Sequence, residues 1–252
     1  MHSNIKAVTF DLWDTVIVND SDEPKRKAQG LPSKSEERRS LVCDFLNKRS
    51  PIAQREVTLA YDVADAAFSR VWHEQSVTWR VRDRIDVILK GLRRELPQAE
   101  MDRLVALHEE MELAVQPDIA AGIADAIRLL SRFYRLGIVS DTLFSPGRVL
   151  RELLKRYDLF QFFDSFLFSD EVGCSKPNPR LFQLAAEELK VKTTEIVHIG
   201  DREDRDIKGA HGAGAKAIYT TALLDRGSRT EAEATCSDYA RLPAIVDSLN
   251  TS

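Results

Sequence analysis

The chain has 252 residues, 43% hydrophobic and 30% charged, a length and balance that suit one α/β domain with a smaller insert better than two equal domains. The net charge is only −4 with scattered basic residues, which argues against nucleic acid as a partner because no basic field gathers its phosphates. No apolar run approaches the ~20 residues of a membrane span, no leader-like pattern opens the chain, and three cysteines without paired spacing (Cys43, Cys174, Cys236) fit neither a disulfide framework nor a zinc site, so the expected setting is a reducing cytoplasm without membrane contact.

The run Ile5, Ala7, Val8, Phe10 ends in Asp11-Leu12-Trp13-Asp14-Thr15, the pattern of a buried parallel strand that delivers acidic residues at its carboxyl end. The polar stretch Asn19 to Glu37 reads as an exposed loop or lid whose basic residues face solvent. From there to about Val115 the signals are helical. Ser50-Pro51 places a cap before a proline at a first helical position, and Val57, Tyr61, Ala64, Phe68 and Val71 recur at helix spacing. Thr78 reads as the cap of the next helix, with Ile85, Ile88, Leu89 and Leu92 on one face, and Pro97 and Pro117 mark later ends. Residues 19–116 are therefore expected to form an all-helical cap, inserted into a core domain built from 1–18 and 117–252.

After Pro117 helices and strands alternate. A helix carrying Ile123, Ile127 and Leu130 leads to a strand, Leu136 to Val139, ending in Ser140-Asp141; Ser145-Pro146 then starts a helix with Val149, Leu150, Leu153 and Leu154 inward. Further strands are expected at Ser165 to Phe168, Ile196 to Ile199 and Lys216 to Tyr219, with helices after Pro179 and near Asp206 to Ala213. Right-handed crossovers fold such units into a doubly wound parallel sheet, an α/β, Rossmann-like core.

Ligands bind such sheets at the carboxyl ends of the strands. Four polar clusters fall there: Asp11 to Thr15, Ser140-Asp141, Lys176 within Gly173 to Pro179, and Gly200-Asp201 through Asp206. If the sheet gathers Asp11, Asp201 and Asp206 into one cleft, they cannot all ionise without a cation, for which an all-oxygen donor set suits a hard divalent ion.

These clusters, in this order from Asp11 to about Ala217, resemble the four motifs of the haloacid dehalogenase superfamily, and the helices between the first two resemble its variant with a cap inserted there. The resemblance implies a hydrolase in which Asp11 is the nucleophile, forming an aspartyl-phosphate that water later hydrolyses. It assigns Mg²⁺ to Asp11, the main-chain carbonyl of Trp13 and Asp201, with Asp206 supporting the site from behind by orienting a metal-bound water or Lys176. Lys176 then neutralises the phosphoryl oxygens and Ser140 donates to them. Thr15, as an orienter of the first loop, and Asp141 complete the substrate-facing set, and the implied substrate is a small phosphorylated molecule. His73 and His108 read as surface or packing residues, and Trp72 and Trp79 as cap core.

One position departs from the pattern. The phosphatases of the family carry an Asp two residues after the nucleophile, where it protonates the leaving oxygen; here it is Trp13, and indole cannot donate that proton. Asp14 stands at the family's usual glycine, and a one-residue step is expected to send its side chain elsewhere. Two other readings follow. The family's 2-haloacid dehalogenases carry an aromatic residue at this place and use no metal, and Arg38 or Arg39 loosely matches their carboxylate-binding Arg; against them, this chain keeps Asp201 in an acidic segment where they have Ser and Asn, and Asp141 where an Asn helps cradle halide. The third reading is a non-catalytic protein that keeps the fold and binds a ligand or partner. Phosphatase chemistry is the favoured expectation.

Overall fold

The computed structural model describes residues 4–227 and 229–250. Six parallel strands form one sheet: β1 (Ala7–Phe10), β2 (Arg135–Ser140), β3 (Ser165–Phe168), β4 (Ile196–Gly200), β5 (Lys216–Thr220) and β6 (Ala234–Cys236), in the spatial order β3-β2-β1-β4-β5-β6. This is the doubly wound order, and its direction reverses beside β1, where a crevice opens at the carboxyl edge. The five strands anticipated from the sequence are present. β6 is additional; of its three residues only Cys236 is buried, too little apolar signal for a strand to be read.

The helices are α1 (Asp22–Ala28), α2 (Lys34–Asn47), α3 (Gln54–Gln75), α4 (Val81–Gly91), α5 (Gln98–Glu109), α6 (Met111–Ala114), α7 (Ile123–Leu130), α8 (Gly147–Arg156), α9 (Ser169–Val172), α10 (Arg180–Leu189), α11 (Lys208–Gly212) and α12 (Leu242–Ser248). Strand residues alternate between two faces. Val8 and Phe10 pack with Ile127, Leu153 and Val246 from α7, α8 and α12, while Ala7 and Val139 pack with Leu181, Phe182 and Ala210 from α10 and α11. Helices α2 to α5 close around a third apolar cluster that includes Val42, Tyr61, Ile85 and Leu104. Among the described residues no helix is long and apolar enough to cross a membrane.

Three local expectations are corrected. The stretch Asn19 to Glu37 is not a solvated loop: it contains α1 and the start of α2, and its Arg26 and Lys34 are buried, as is Arg38 just after it. α2 begins with a capping box, in which the Ser33 hydroxyl accepts from Glu36 N at 3.3 Å and Glu36 accepts from Ser33 N at 3.0 Å. Pro51 does not occupy a first helical position. α3 starts at Gln54 with Ala53 as its cap, because Asn47 holds Ile52 N at 2.8 Å in a non-helical link. Thr78 does not cap α4, which starts at Val81 with Asp83 accepting from Arg80 N; the Thr78 hydroxyl donates to Ser169 at 2.8 Å instead.

Candidate active site

Strand register places the acidic groups. Phe10 is level with Ile138 of β2 and Ile199 of β4, so Asp11, Ser140 and Asp201 all emerge within a residue or two of the sheet's carboxyl edge. Asp11 N still donates to Ile199 O at 2.9 Å, which fixes the backbone from which its carboxylate projects.

Lys176 comes from the segment between α9 and α10 and is 2% exposed. Its ammonium spends its three protons on Asp11 Oδ1 at 2.7 Å, Asp206 Oδ1 at 2.6 Å and Val139 O at 3.1 Å. Burial opposes the charge, but Asp11 and Asp206 outweigh it and hold the lysine protonated. The Lys176 backbone N–H donates to Asp141 Oδ1 at 2.9 Å, so the same residue is fixed at both ends.

Asp206 lies in a single π-helical turn, Glu203–Ile207, ahead of α11. Its Oδ2 accepts from Arg202 N at 2.9 Å, and its Oδ1 faces both Lys176 and His198 Nε2, the latter at 3.3 Å. The other ring nitrogen of His198 lies 3.0 Å from the Thr9 hydroxyl. Burial lowers the His198 pKa, and a neutral ring protonated on Nε2 satisfies both contacts. Gly200 is required by this packing, since any Cβ there would overlap the Asp206 carboxyl group.

Asp201 is fully buried. Its Oδ2 accepts from Arg226 Nε at 2.6 Å, whereas Oδ1 is buried without a partner among the described residues. Burial first, then Asp11 and Asp206, push the Asp201 carboxyl up to about 7 despite Arg226. Asp11 is raised as well, by burial and by Asp206, against the pull of Lys176. One oxygen from each of Asp11, Asp201 and Asp206 lies within 4.8 Å of the others. The residues therefore fit a hard dication: an all-oxygen set, an orphaned buried oxygen, and two carboxyls whose ionisation a cation would restore. Asp206 has both oxygens engaged by protein, so ligand capacity is concentrated in Asp11 and Asp201.

A cavity of about 280 Å³ stands over this cluster, lined on the sheet side by Asp11, Trp13, Asp141 and Lys176. On the helical side Lys34 pairs with Asp22 at 2.8 Å and Glu112 at 3.3 Å, and Ser145 donates to Glu112 at 2.6 Å. The Arg38 guanidinium carbon stands 3.6 Å from the centre of the Phe144 ring, with a terminal nitrogen 3.6 Å from Glu112 and its Nε unpartnered among the described residues. Arg205 joins the two sides. Its guanidinium sits over Trp72 at 3.7 Å and donates to the carbonyls of Trp72 and Lys176 and to His73 Nδ1.

Of the residues singled out from sequence, Asp11, Lys176, Asp201 and Asp206 come together, and Trp13 and Asp141 line the cavity. Ser140 and Thr15 are fully buried and stand outside the cavity lining. The Ser140 hydroxyl donates to Asp141 O at 3.4 Å, and the Thr15 hydroxyl has no partner among the described residues while its carbonyl accepts from Tyr239. Asp14, expected to point elsewhere, does line the cavity, but its backbone has φ 56° and both its oxygens are taken, by Asn19 N and Arg226. His108 is a packing residue stacked on Tyr61, and Trp72 is buried. His198, Arg205 and Arg226 were missed. A histidine inside an apolar strand was a usable signal for the first, whereas nothing local marked Arg226, 25 positions beyond the carboxylate it meets.

Comparison with known proteins agrees with this architecture. A glyceraldehyde 3-phosphate phosphatase of Methanopyrus kandleri is 33% identical over 141 residues, covering 54% of this chain and 55% of that protein. A phosphoserine phosphatase of Thermus thermophilus is 40% identical over 123 residues, 49% of this chain and 45% of the other. The chain thus spans about half the length of these curated relatives. The crystal structure of a 2-haloacid dehalogenase from Pseudomonas syringae superposes with a TM-score of 0.65 at 22% identity, covering 97% of this chain and 99% of that one, a likeness of fold. The profile described as "haloacid dehalogenase-like hydrolase" matches residues 5–214, and with four-fifths of its length inside that match, the chain belongs to the haloacid dehalogenase-like hydrolase family.

Proposed function

We propose that the protein is a Mg²⁺-dependent phosphatase of a small phosphorylated metabolite, with residues 19–116 acting as a helical cap over a core made of 1–18 and 117–252. The observation that carries this reading is the Lys176 ammonium clamped between Asp11 and Asp206, beside a carboxylate, Asp201, that keeps one buried oxygen free. Asp11, the Trp13 carbonyl and Asp201 would hold the metal, with Asp206 behind them, and bound Mg²⁺ supplies positive charge to the phosphoryl oxygens.

Asp11 Oδ1 is tied to Lys176, which leaves Oδ2 as the attacking atom. It forms a bond to phosphorus as the bond to the leaving oxygen breaks; water then attacks phosphorus, releases phosphate and restores the carboxylate. Lys176 stays in place and balances the charge that builds on the phosphoryl group. Asp141 and the buried Ser140 support the lysine segment and the end of β2, and Thr15 supports the first loop. With Trp13 at the acid position and both Asp14 oxygens engaged, no carboxyl from the first loop is free to protonate the leaving group. Substrates whose leaving oxygen is already a weak base, such as acyl or aryl phosphates and phosphoanhydrides, suit this site best. The relatives named for glyceraldehyde 3-phosphate and phosphoserine support a small phosphorylated substrate. Three free, buried cysteines agree with a reducing compartment.

Dehalogenation is a second reading, favoured by Trp13 and the buried Arg38 on the cavity wall and opposed by the acidic trio, which that metal-free chemistry does not need. The test is purified protein incubated with a phosphate-ester panel, an acyl phosphate and a 2-haloacid, with and without Mg²⁺, beside Asp11→Asn. Mg²⁺-dependent phosphate release abolished by the substitution is expected. Metal-independent halide release would establish the second reading, and silence on every substrate would leave a binding protein.

A further inference from the structure

Arg226 stands in the loop after β5 and reaches back across the carboxyl edge of the sheet. Its Nε and one terminal nitrogen both lie 2.6 Å from Asp201 Oδ2, and that terminal nitrogen donates to Asp14 Oδ2 at 3.0 Å. One guanidinium therefore joins the loop after β1 to the loop after β4. Those two loops carry all the atoms assigned to the metal: Asp11 and the Trp13 carbonyl on one side, Asp201 on the other.

The two oxygens of Asp201 are in opposite situations. Oδ2 is saturated by Arg226, and Oδ1 is buried without a partner among the described residues, in a carboxyl group that has one oxygen within 4.8 Å of oxygens of Asp11 and Asp206. Rotation of the carboxylate about its last bond would exchange the oxygens, and Arg226 is the contact that prevents it. The ion pairs show how the loops are joined: Lys176 holds Asp11 and Asp206, while Arg226 holds Asp14 and Asp201. An arginine that occupied the cation's place would have to leave when the metal arrived; one bound to the opposite oxygen can stay.

We infer that Arg226 is a positioning residue for the divalent cation: it pins Asp201 so that Oδ1 faces the metal, and it fixes the spacing between the two ligand-bearing loops while the metal is bound. Its side chain is 27% exposed, so the contact is made at the rim and not in the core. The chemistry needs a planar fork that spans two carboxylates, which arginine provides and the point charge of lysine does not.

This inference rests on the metal reading above, and the experiment separates the two. Isothermal titration of Mg²⁺, and of Mn²⁺ as a tighter probe, is carried out on the full chain as wild type, Arg226→Gln, Arg226→Lys and Asp14→Asn, with the fold of each checked by circular dichroism in chelator. Loss of a partner that orients a ligand typically weakens metal affinity by about 10- to 100-fold. Arg226→Gln is expected in that range, with Arg226→Lys and Asp14→Asn weakened less but measurably. Should the glutamine variant fail to fold, the lysine and Asp14 variants decide. Wild-type affinity in the arginine variants overturns the inference, and so does tighter binding, which would make Arg226 a competitor. A wild-type chain that takes up neither ion overturns the metal reading itself.

Discussion

Replacing Lys176 by Met tests whether one buried ammonium lets Asp11 and Asp206 coexist. Two charge-assisted bonds, of 2.7 and 2.6 Å, are lost while both carboxyl groups stay buried. Removing one partner of a buried ion pair costs about 3–5 kcal/mol, because the remaining charge is left uncompensated; with two carboxylates losing the same cation, a loss near the upper end, about 5 kcal/mol, is expected at pH 8 in chelator. The pH dependence follows from counting protons. In the wild type burial raises Asp206 but Lys176 prevails and holds it well below the ordinary carboxylate range. Its stabilising contribution is therefore present above the unfolded value of about 3.9 and is lost as the pH falls through the folded one. In the variant burial and mutual repulsion push both carboxyls upward. The folded state then holds more protons than the unfolded chain, and stability falls as pH rises, by about 1.4 kcal/mol per pH unit for each extra proton. The deficit must be larger at pH 8 than at pH 5. Urea unfolding followed by tryptophan fluorescence in EDTA measures it at both. A deficit under about 1 kcal/mol at pH 8, or one of equal size at pH 5, refutes the reasoning.

Trp13→Asp restores a carboxyl at the acid position. Hydrolysis of an alkyl phosphate should rise by about 10²-fold or more, with little change for an aryl phosphate, because proton donation matters chiefly for poor leaving groups; equal effects on both substrates would argue that no acid is missing. His108 provides a pH test away from the site. Burial holds its imidazole down at about 4 against an ordinary 6.5, so the unfolded chain takes the proton first and stability is lost as pH falls from 6.5 towards 4. At pH 4.5 the penalty is about 2.5 kcal/mol. His108→Leu should match wild type closely at pH 7.5 and exceed it by roughly that amount at pH 4.5 in urea melts. A difference that does not change between the two pH values would contradict a buried neutral ring.

The parts of the fold that sequence revealed are those whose signal is local and repeated. Strands such as Leu136 to Val139 announce themselves as short apolar runs ending in polar residues, and α3 shows Val57, Tyr61, Ala64 and Phe68 on one face. Where elements are stabilised by charge, that signal fails. α1 and the start of α2 are held by buried Arg26, Lys34 and Asp22, and a composition rich in such residues reads as a solvated loop. The Ser33-x-x-Glu36 capping box, and the acidic start and basic end of α1, were the available signs of helix there. Asp11, Lys176, Asp201 and Asp206 were legible for another reason: each follows a strand or lies in a motif, and a parallel sheet gathers strand ends at one edge. Ser140 sat in the right motif, yet its hydroxyl is turned to Asp141 O, an orientation that no spacing encodes. Arg226 depends on how a long loop folds back, which only the tertiary structure specifies.

The Trp72 and Lys176 carbonyls hang from the same guanidinium of Arg205. A hinge motion that lifts the end of α3 away from the sheet must strip that group of its stacking partner and of part of its hydrogen bonding in a single event. The segment carrying the lysine is tied to the same helix end, since Ser175 N donates to Ser76 O at 2.8 Å, so a displacement there would also take an outside brace from Lys176.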